Sequence, residues 1–174
     1  MKLNKCLPIL ALTVFMGLAA QAQTKYAVIN TKYILEKIPE YNEADKKLKE
    51  LGDQWQVEID EKQMALDKMY KNYEAEQFML SEELKKKRED ELFIKEKELR
   101  DLQKRRFGYE GDLFKERQKL VKPIQDKVYN AVQKIAAARA YDFIFDKSEG
   151  ITIIFADPKL DKSDDVLRQL GVIN

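Results

Sequence analysis

The spacing of apolar residues changes several times along the chain, and each change marks an element. Lys25 to Asn30 carries Tyr26, Val28 and Ile29, the β-branched and aromatic character of a short strand. Thr31 to Ile38 reads as a brief helical turn that stops at Pro39, because the residue before a proline is pushed out of the helical region. From Glu40 the spacing becomes three and four. Tyr41, Ala44, Leu48, Leu51 and Trp55 form an a/d seam. The seam then slips, since Ile59, Leu66, Met69 and Tyr73 resume it four residues after Trp55. A four-residue stutter unwinds a coiled coil locally without ending it.

Periodicity weakens at Gln77-Phe78-Met79-Leu80, and Ser81-Glu82-Glu83 follows with a hydroxyl to cap a helix and acids for its first turn. A reversal is therefore expected near residues 78–82. The returning helix carries Leu92, Leu99, Leu102, Tyr109, Leu113 and Leu120 on its seam, with Lys95, Arg106 and Glu116 interrupting it. So interrupted a seam makes a bendable rod. Pro123 removes a backbone donor inside this pattern and predicts a kink or junction there. Beyond it Ile124, Val128, Ala131, Ile135 and Ala138 resume the three/four spacing.

Tyr141–Phe145 and Ile151–Phe155 read as two strands joined by a turn at Asp146–Gly150. Ser163, Asp164 and Asp165 open a last helix with Val166, Leu167 and Leu170 on one face and Gly171 as its stop. The expected fold is α+β. A small β-containing base (23–39 and 124–174) carries a long antiparallel α-helical, coiled-coil hairpin (40–123) whose arms of roughly 40 residues would each reach about 60 Å.

The N-terminus changes the picture of where the chain works. Lys2 and Lys5, an apolar run from Leu7 to Ala20, and Ala20-Gln21-Ala22 have the order of a cleaved secretory signal, residues 1–22. The run is shorter than the roughly 20 residues that a membrane span needs. Cys6 precedes the run, so it lacks the position of a lipidated cysteine. The expected location is the periplasm. Removing 1–22 takes two of the 32 basic residues and leaves 30 against 31 acidic ones, a charge of −1. The mature chain would contain neither Cys nor His, which removes disulfides, thiolate nucleophiles, imidazole bases and the usual zinc ligands. No enzyme, cofactor or metal is expected. Lys85-Lys86-Lys87-Arg88 and Lys104-Arg105-Arg106 are flanked by acids, the pattern of a solvated helix face and not of a nucleic-acid footprint.

Taken in order, the leader, Tyr26-Ala27-Val28-Ile29-Asn30, Ile34-Leu35, Pro39-Glu40, the charged hairpin, Leu120-Val121-Lys122-Pro123-Ile124, Tyr141-Asp142-Phe143-Ile144-Phe145-Asp146 and Asp161-Lys162-Ser163-Asp164-Asp165-Val166 resemble the Skp/OmpH family of periplasmic outer-membrane-protein chaperones. The resemblance spans essentially the whole mature chain and lies in order and spacing. It implies a homotrimer whose strands form a shared body, with hairpins enclosing unfolded β-barrel precursors and no need for ATP. Val28, Ile29, Phe143, Phe145, Ile153 and Phe155 are the expected residues of the oligomerisation base. The best-known members are strongly basic and this chain is near neutral, so net charge gives no support to a membrane-surface contact.

The hairpin also holds apolar residues that its seam does not need. Phe93, Phe107, Phe114 and Val121 recur at multiples of seven, as do Val57, Met64 and Phe78. Together with Met79 and Leu80 at the reversal, Val57, Met64, Phe78, Phe93, Phe107 and Phe114 are the candidate client-binding residues. Met and aromatic side chains repack readily against varied partners. The competing explanations are a widened helix-helix core or packing between subunits, and, for the whole chain, a structural coiled-coil spacer of the cell envelope.

Overall fold

The computed structural model of the protein describes residues 24–148 and 153–174; the expected signal, 1–22, and residues 151 and 152 of the expected last strand lie outside them. Its elements run β1 (Tyr26–Ile29), α1 (Thr31–Lys37), α2 (Pro39–Glu76), α3 (Glu82–Phe107), α4 (Asp112–Arg139), β2 (Phe143–Asp146), a single 3-10 turn at Pro158–Leu160 and α5 (Ser163–Gln169). The result is a long helical hairpin with a two-stranded sheet at the end that carries the N-terminal strand.

Local chemistry sets most boundaries. Asn30 caps α1 by accepting the Tyr33 N–H at 3.0 Å. Pro39 occupies the first turn of α2, where its missing N–H is not needed. Ser81 caps α3 by accepting the Leu84 N–H, so the reversal falls at 77–81, as the sequence predicts. Gly171 ends α5 at φ +73°, and the Val172 N–H reaches back to the Leu167 carbonyl at 3.0 Å. Ser163 is not the cap expected of it. Its hydroxyl accepts the Asn30 N–H and donates to Asp161, whose carboxylate also accepts the Ser163 N–H at 2.9 Å, and Lys162 at the cap position makes no side-chain capping bond.

Two larger expectations are corrected. First, the described residues of the 151–155 segment do not pair with β2. β2 pairs in parallel with β1, Tyr26 opposite Phe143 and Ile29 opposite Asp146, and the described residues Ile153–Asp157 form no strand. Ala27, Val28 and Ile29 are all buried, the continuous apolar run of a strand used on both edges. β2 takes one edge, and the Lys162 N–H bonds the Val28 carbonyl at 2.8 Å on the other. Asp146 ends β2, and its carboxylate accepts from the Thr31 and Ser148 N–H groups and from the Thr31 hydroxyl.

Second, α4 runs through Pro123 without interruption. The returning strand breaks instead at Gly108-Tyr109-Glu110-Gly111, where the Gly111 N–H closes a turn on the Gly108 carbonyl at 2.9 Å. Tyr109, expected on the seam, sits at this turn and is 95% exposed. Proline leaves one carbonyl of the preceding turn without its helical partner. Buried Val121, Ile124 and Val128 on the same helix supply the packing that outweighs it.

Buried side chains fall into two separate clusters. The proximal one joins Ile29, Ile34, Ile38, Ala44 and Leu48 to the α4 residues Val121 to Ile135 and to Val166 and Leu167 of α5. The distal one contains Ile59, Leu66, Leu92, Leu99 and Leu102, with Met69 and Tyr73 packed against it.

Candidate functional site

Apolar side chains that belong to neither cluster are the candidate site. Leu66 and Ile59 fix the face that α2 turns toward α3. Met64 and Val57 each lie two residues before one of them, about 200° round the helix at 3.6 residues per turn. Both therefore point away from α3, and both are more than half exposed. Phe93 follows Leu92 by one position, about 100° round, and is 61% exposed. Phe78 and Met79 project from the reversal at 88% and 81%, while Leu80 is half-buried. None of these six belongs to the distal buried cluster.

Phe107 and Phe114 are different. Phe107 packs edge-on against Trp55 of α2, ring centres 6.4 Å apart, and lines a groove with Leu48, Gly52 and Leu113. Phe114 is exposed, though less so than Phe93, and lies one position past the half-buried Leu113. Ile94 and Leu84 are exposed apolar residues absent from the sequence-based set. Ile94 had a signal: beside Phe93 it makes an apolar pair that three/four spacing does not require.

The charged residues around these stripes are paired along the helices. Lys85 bonds Glu82, Arg88 bonds Glu91, Lys95 bonds Glu98 and Arg100 bonds Glu96, all on exposed faces. Such pairs contribute only tenths of a kcal/mol each, about 0.3–0.5. They keep the helices soluble and leave the apolar side chains as isolated ledges among charge. Tyr73 donates to Glu89 at 2.5 Å and clasps the two helices near the reversal. That bond raises the phenol above its ordinary value.

Arg106 stands apart from the surface pairs. On a seam position at the end of α3, it donates to Asp112 at the start of α4 (2.8 Å) and to Glu58 on α2 (3.2 Å). Its guanidinium also lies over the Trp55 ring, 4.9 Å from the centre. Burial works against its charge, but the bonds to Asp112 and Glu58 outweigh it and raise the guanidinium above its ordinary value.

At the sheet end, Val28 and Ile29 are buried within the chain. Phe143 and Phe145 stack on each other at 6.1 Å and face outward, with Tyr26 beside them. Ile153 is half-buried, whereas Ile154 and Phe155 are almost wholly exposed. Among the described residues no group of three acidic, His or Cys side chains is placed to hold a metal, and no helix is long and apolar enough to cross a membrane.

The fold is a strand-anchored helical hairpin that carries exposed apolar side chains along its arm. The family is shown by the sequence: the model described as Outer membrane protein (OmpH-like) matches residues 25–170, and the chain belongs to that family. No curated protein matches the chain significantly. A solved structure from Caulobacter crescentus CB15, described as an outer membrane chaperone (OmpH-like), shares the fold with a TM-score of 0.63 at 16% identity. The match covers 87% of this chain and 85% of that one.

Proposed function

We propose that this protein is a periplasmic chaperone that holds unfolded outer-membrane protein precursors without nucleotide. The observation that carries the reading is the set of exposed ledges, Val57, Met64 and Phe93 on helices whose facing residues Ile59, Leu66, Leu92, Leu99 and Leu102 are already buried, with Phe78 and Met79 at the reversal. Many weak apolar contacts, spaced along an arm and separated by charge, suit a partner of varied sequence and no fixed shape. Family membership supports the same reading.

The sheet end supports assembly into an oligomer, a trimer by family resemblance. Phe143, Phe145 and Phe155 present apolar area, and β2 has only one strand neighbour among the described residues. A two-stranded sheet is marginal in water without further packing. Sedimentation at micromolar concentration should show the trimer, and a folded monomer there would overturn the assembly.

The holding activity is tested by diluting a urea-unfolded β-barrel protein into the mature protein without nucleotide. Aggregation should be suppressed. Changing Met64, Phe93 and Phe78 together to Ser should weaken client binding by about tenfold, which requires only about 1.4 kcal/mol over three side chains. Unchanged binding with the oligomer intact would remove these residues from the client surface.

A further inference from the structure

Four independent features meet at one level of the arm. Gly52 is the only glycine in α2, and a glycine in a helix interior weakens it by roughly 0.5–1 kcal/mol relative to Ala. The seam shifts by four residues between Trp55 and Ile59. On the facing strand, α3 ends and α4 begins across 108–111. The buried clusters stop here too: the proximal one ends at Leu48 and Val121, the distal one begins at Ile59 and Leu102. Gly52 lines the same groove as Phe107 and Leu113, so the weak points of both strands face each other.

We propose that this level is a hinge dividing the arm into two stiff segments, and that Arg106 is the latch that holds it closed. Arg106 is the one side chain seen to tie all three helices that meet here, through Asp112 across the backbone break and Glu58 and Trp55 across the hairpin. Bending α3 away from α4 separates Arg106 from Asp112. Bending it away from α2 separates Arg106 from Glu58. The fork geometry of a guanidinium lets one side chain hold both carboxylates, which an ammonium point charge does poorly.

The turn itself is built for the closed geometry. A side chain at Gly108 would meet the Lys104 carbonyl oxygen at 2.3 Å, and one at Gly111 would meet that of Arg105 at 2.8 Å. Glu110, between them, sits at φ +54°, which costs an L-residue about 1–2 kcal/mol. A strained turn that persists only while its surroundings hold it is a natural place for two arrangements. The proposal concerns how the arm moves and holds whichever client it carries.

Single-molecule energy transfer on the assembled protein tests it. Exposed Lys71 and Lys127 are changed to Cys for the dyes, which the chain beyond residue 22 permits because it has no other Cys. The labels lie one on each side of the hinge, about 45 Å apart along the arm, and labelled chains are diluted into unlabelled ones. The wild type should give a narrow distribution at low salt that broadens as salt rises. Arg106→Gln should be broad at every salt concentration, with the closed-to-open ratio down about tenfold, equivalent to about 1.4 kcal/mol. Arg106→Lys should fall between. If Arg106→Gln disturbs folding, Glu58→Gln and Asp112→Asn each remove one side of the latch and should each broaden the distribution. A distribution and salt response unchanged in these variants overturns the latch. A distribution that responds to Pro123→Ala instead overturns the hinge position.

Discussion

The proximal half of the molecule packs a sheet, two short helices and the ends of two long ones around one cluster, whereas the distal half is two helices and nothing else. Both halves have the same three/four apolar spacing. In the proximal half Ile34, Val166 and Leu167 have neighbours on every side and lose all contact with solvent. In the distal half each helix has a single neighbour, so only one stripe is covered and Val57, Met64 and Phe93 remain in water. The number of neighbours, more than the sequence spacing, decides whether an apolar residue becomes core or ledge.

Core truncation should break this comparison most sharply. Leu167→Ala removes a wholly buried side chain and should cost about 2–5 kcal/mol of global stability in urea unfolding. Leu99→Ala should loosen the distal segment locally, seen as faster amide exchange across α3 and the facing turns of α2, while the proximal cluster stays protected. Equal global losses for both would show that the two clusters unfold as one unit.

Acid should separate the halves next. Burial opposes ionisation of Asp146 and Asp161. Hydrogen bonds from Thr31 and Ser148 to the first, and from Lys147 and Ser163 to the second, hold both carboxyls below the ordinary 3.8. Such groups stabilise the fold fully above that value, and the contribution is lost as pH falls through their lower folded values. The sheet end should therefore loosen below pH 3.8 while the distal helices persist, as read by exchange or circular dichroism. Asp146→Asn should flatten that response.

Smaller effects are expected on the ledges. Phe93→Ser should change stability by no more than about 0.5 kcal/mol, the range of exposed substitutions. Phe107→Ser should cost more, because Phe107 rests on Trp55. Equal effects would place both residues in one environment and remove the distinction between ledge and groove.

Legibility followed the range of the interaction. Ser81 and Gly171 act within one turn of their own helix, and the reversal and the last helix end were readable from them. The partner of β2 lies more than a hundred residues away, beyond any local pattern. Pro123 was read by its propensity, which buried Val121 and Ile124 override. The true break carried a signal, two glycines three apart, but seam counting ran through Tyr109 and hid it. The stripes at Phe93, Met64 and Val57 were visible as heptad repeats. Their exposure depends on what else packs nearby, which spacing does not encode. The Arg106 contacts with Glu58 and Trp55 likewise required the pairing of α2 with α3 to be known.

The parallel register of β1 and β2 also imposes an order of assembly in time. Lys25 and Asp142, which bond at the start of that register, are 117 residues apart. Closing a flexible loop becomes more costly with its length, so contacts of large sequence separation form slowly when the chain between them is loose. The hairpin removes that obstacle. Once α2 folds back against α3 and α4, Ala44 and Leu48 stand beside Val121 and Ile124, and only short connections remain before the strands can meet. Amide protection in refolding should accordingly reach α2, α3 and α4 before β1. The N-terminal strand, first to emerge in synthesis, is among the last to find its partner, and until then its apolar edge is open to any other extended chain in the compartment.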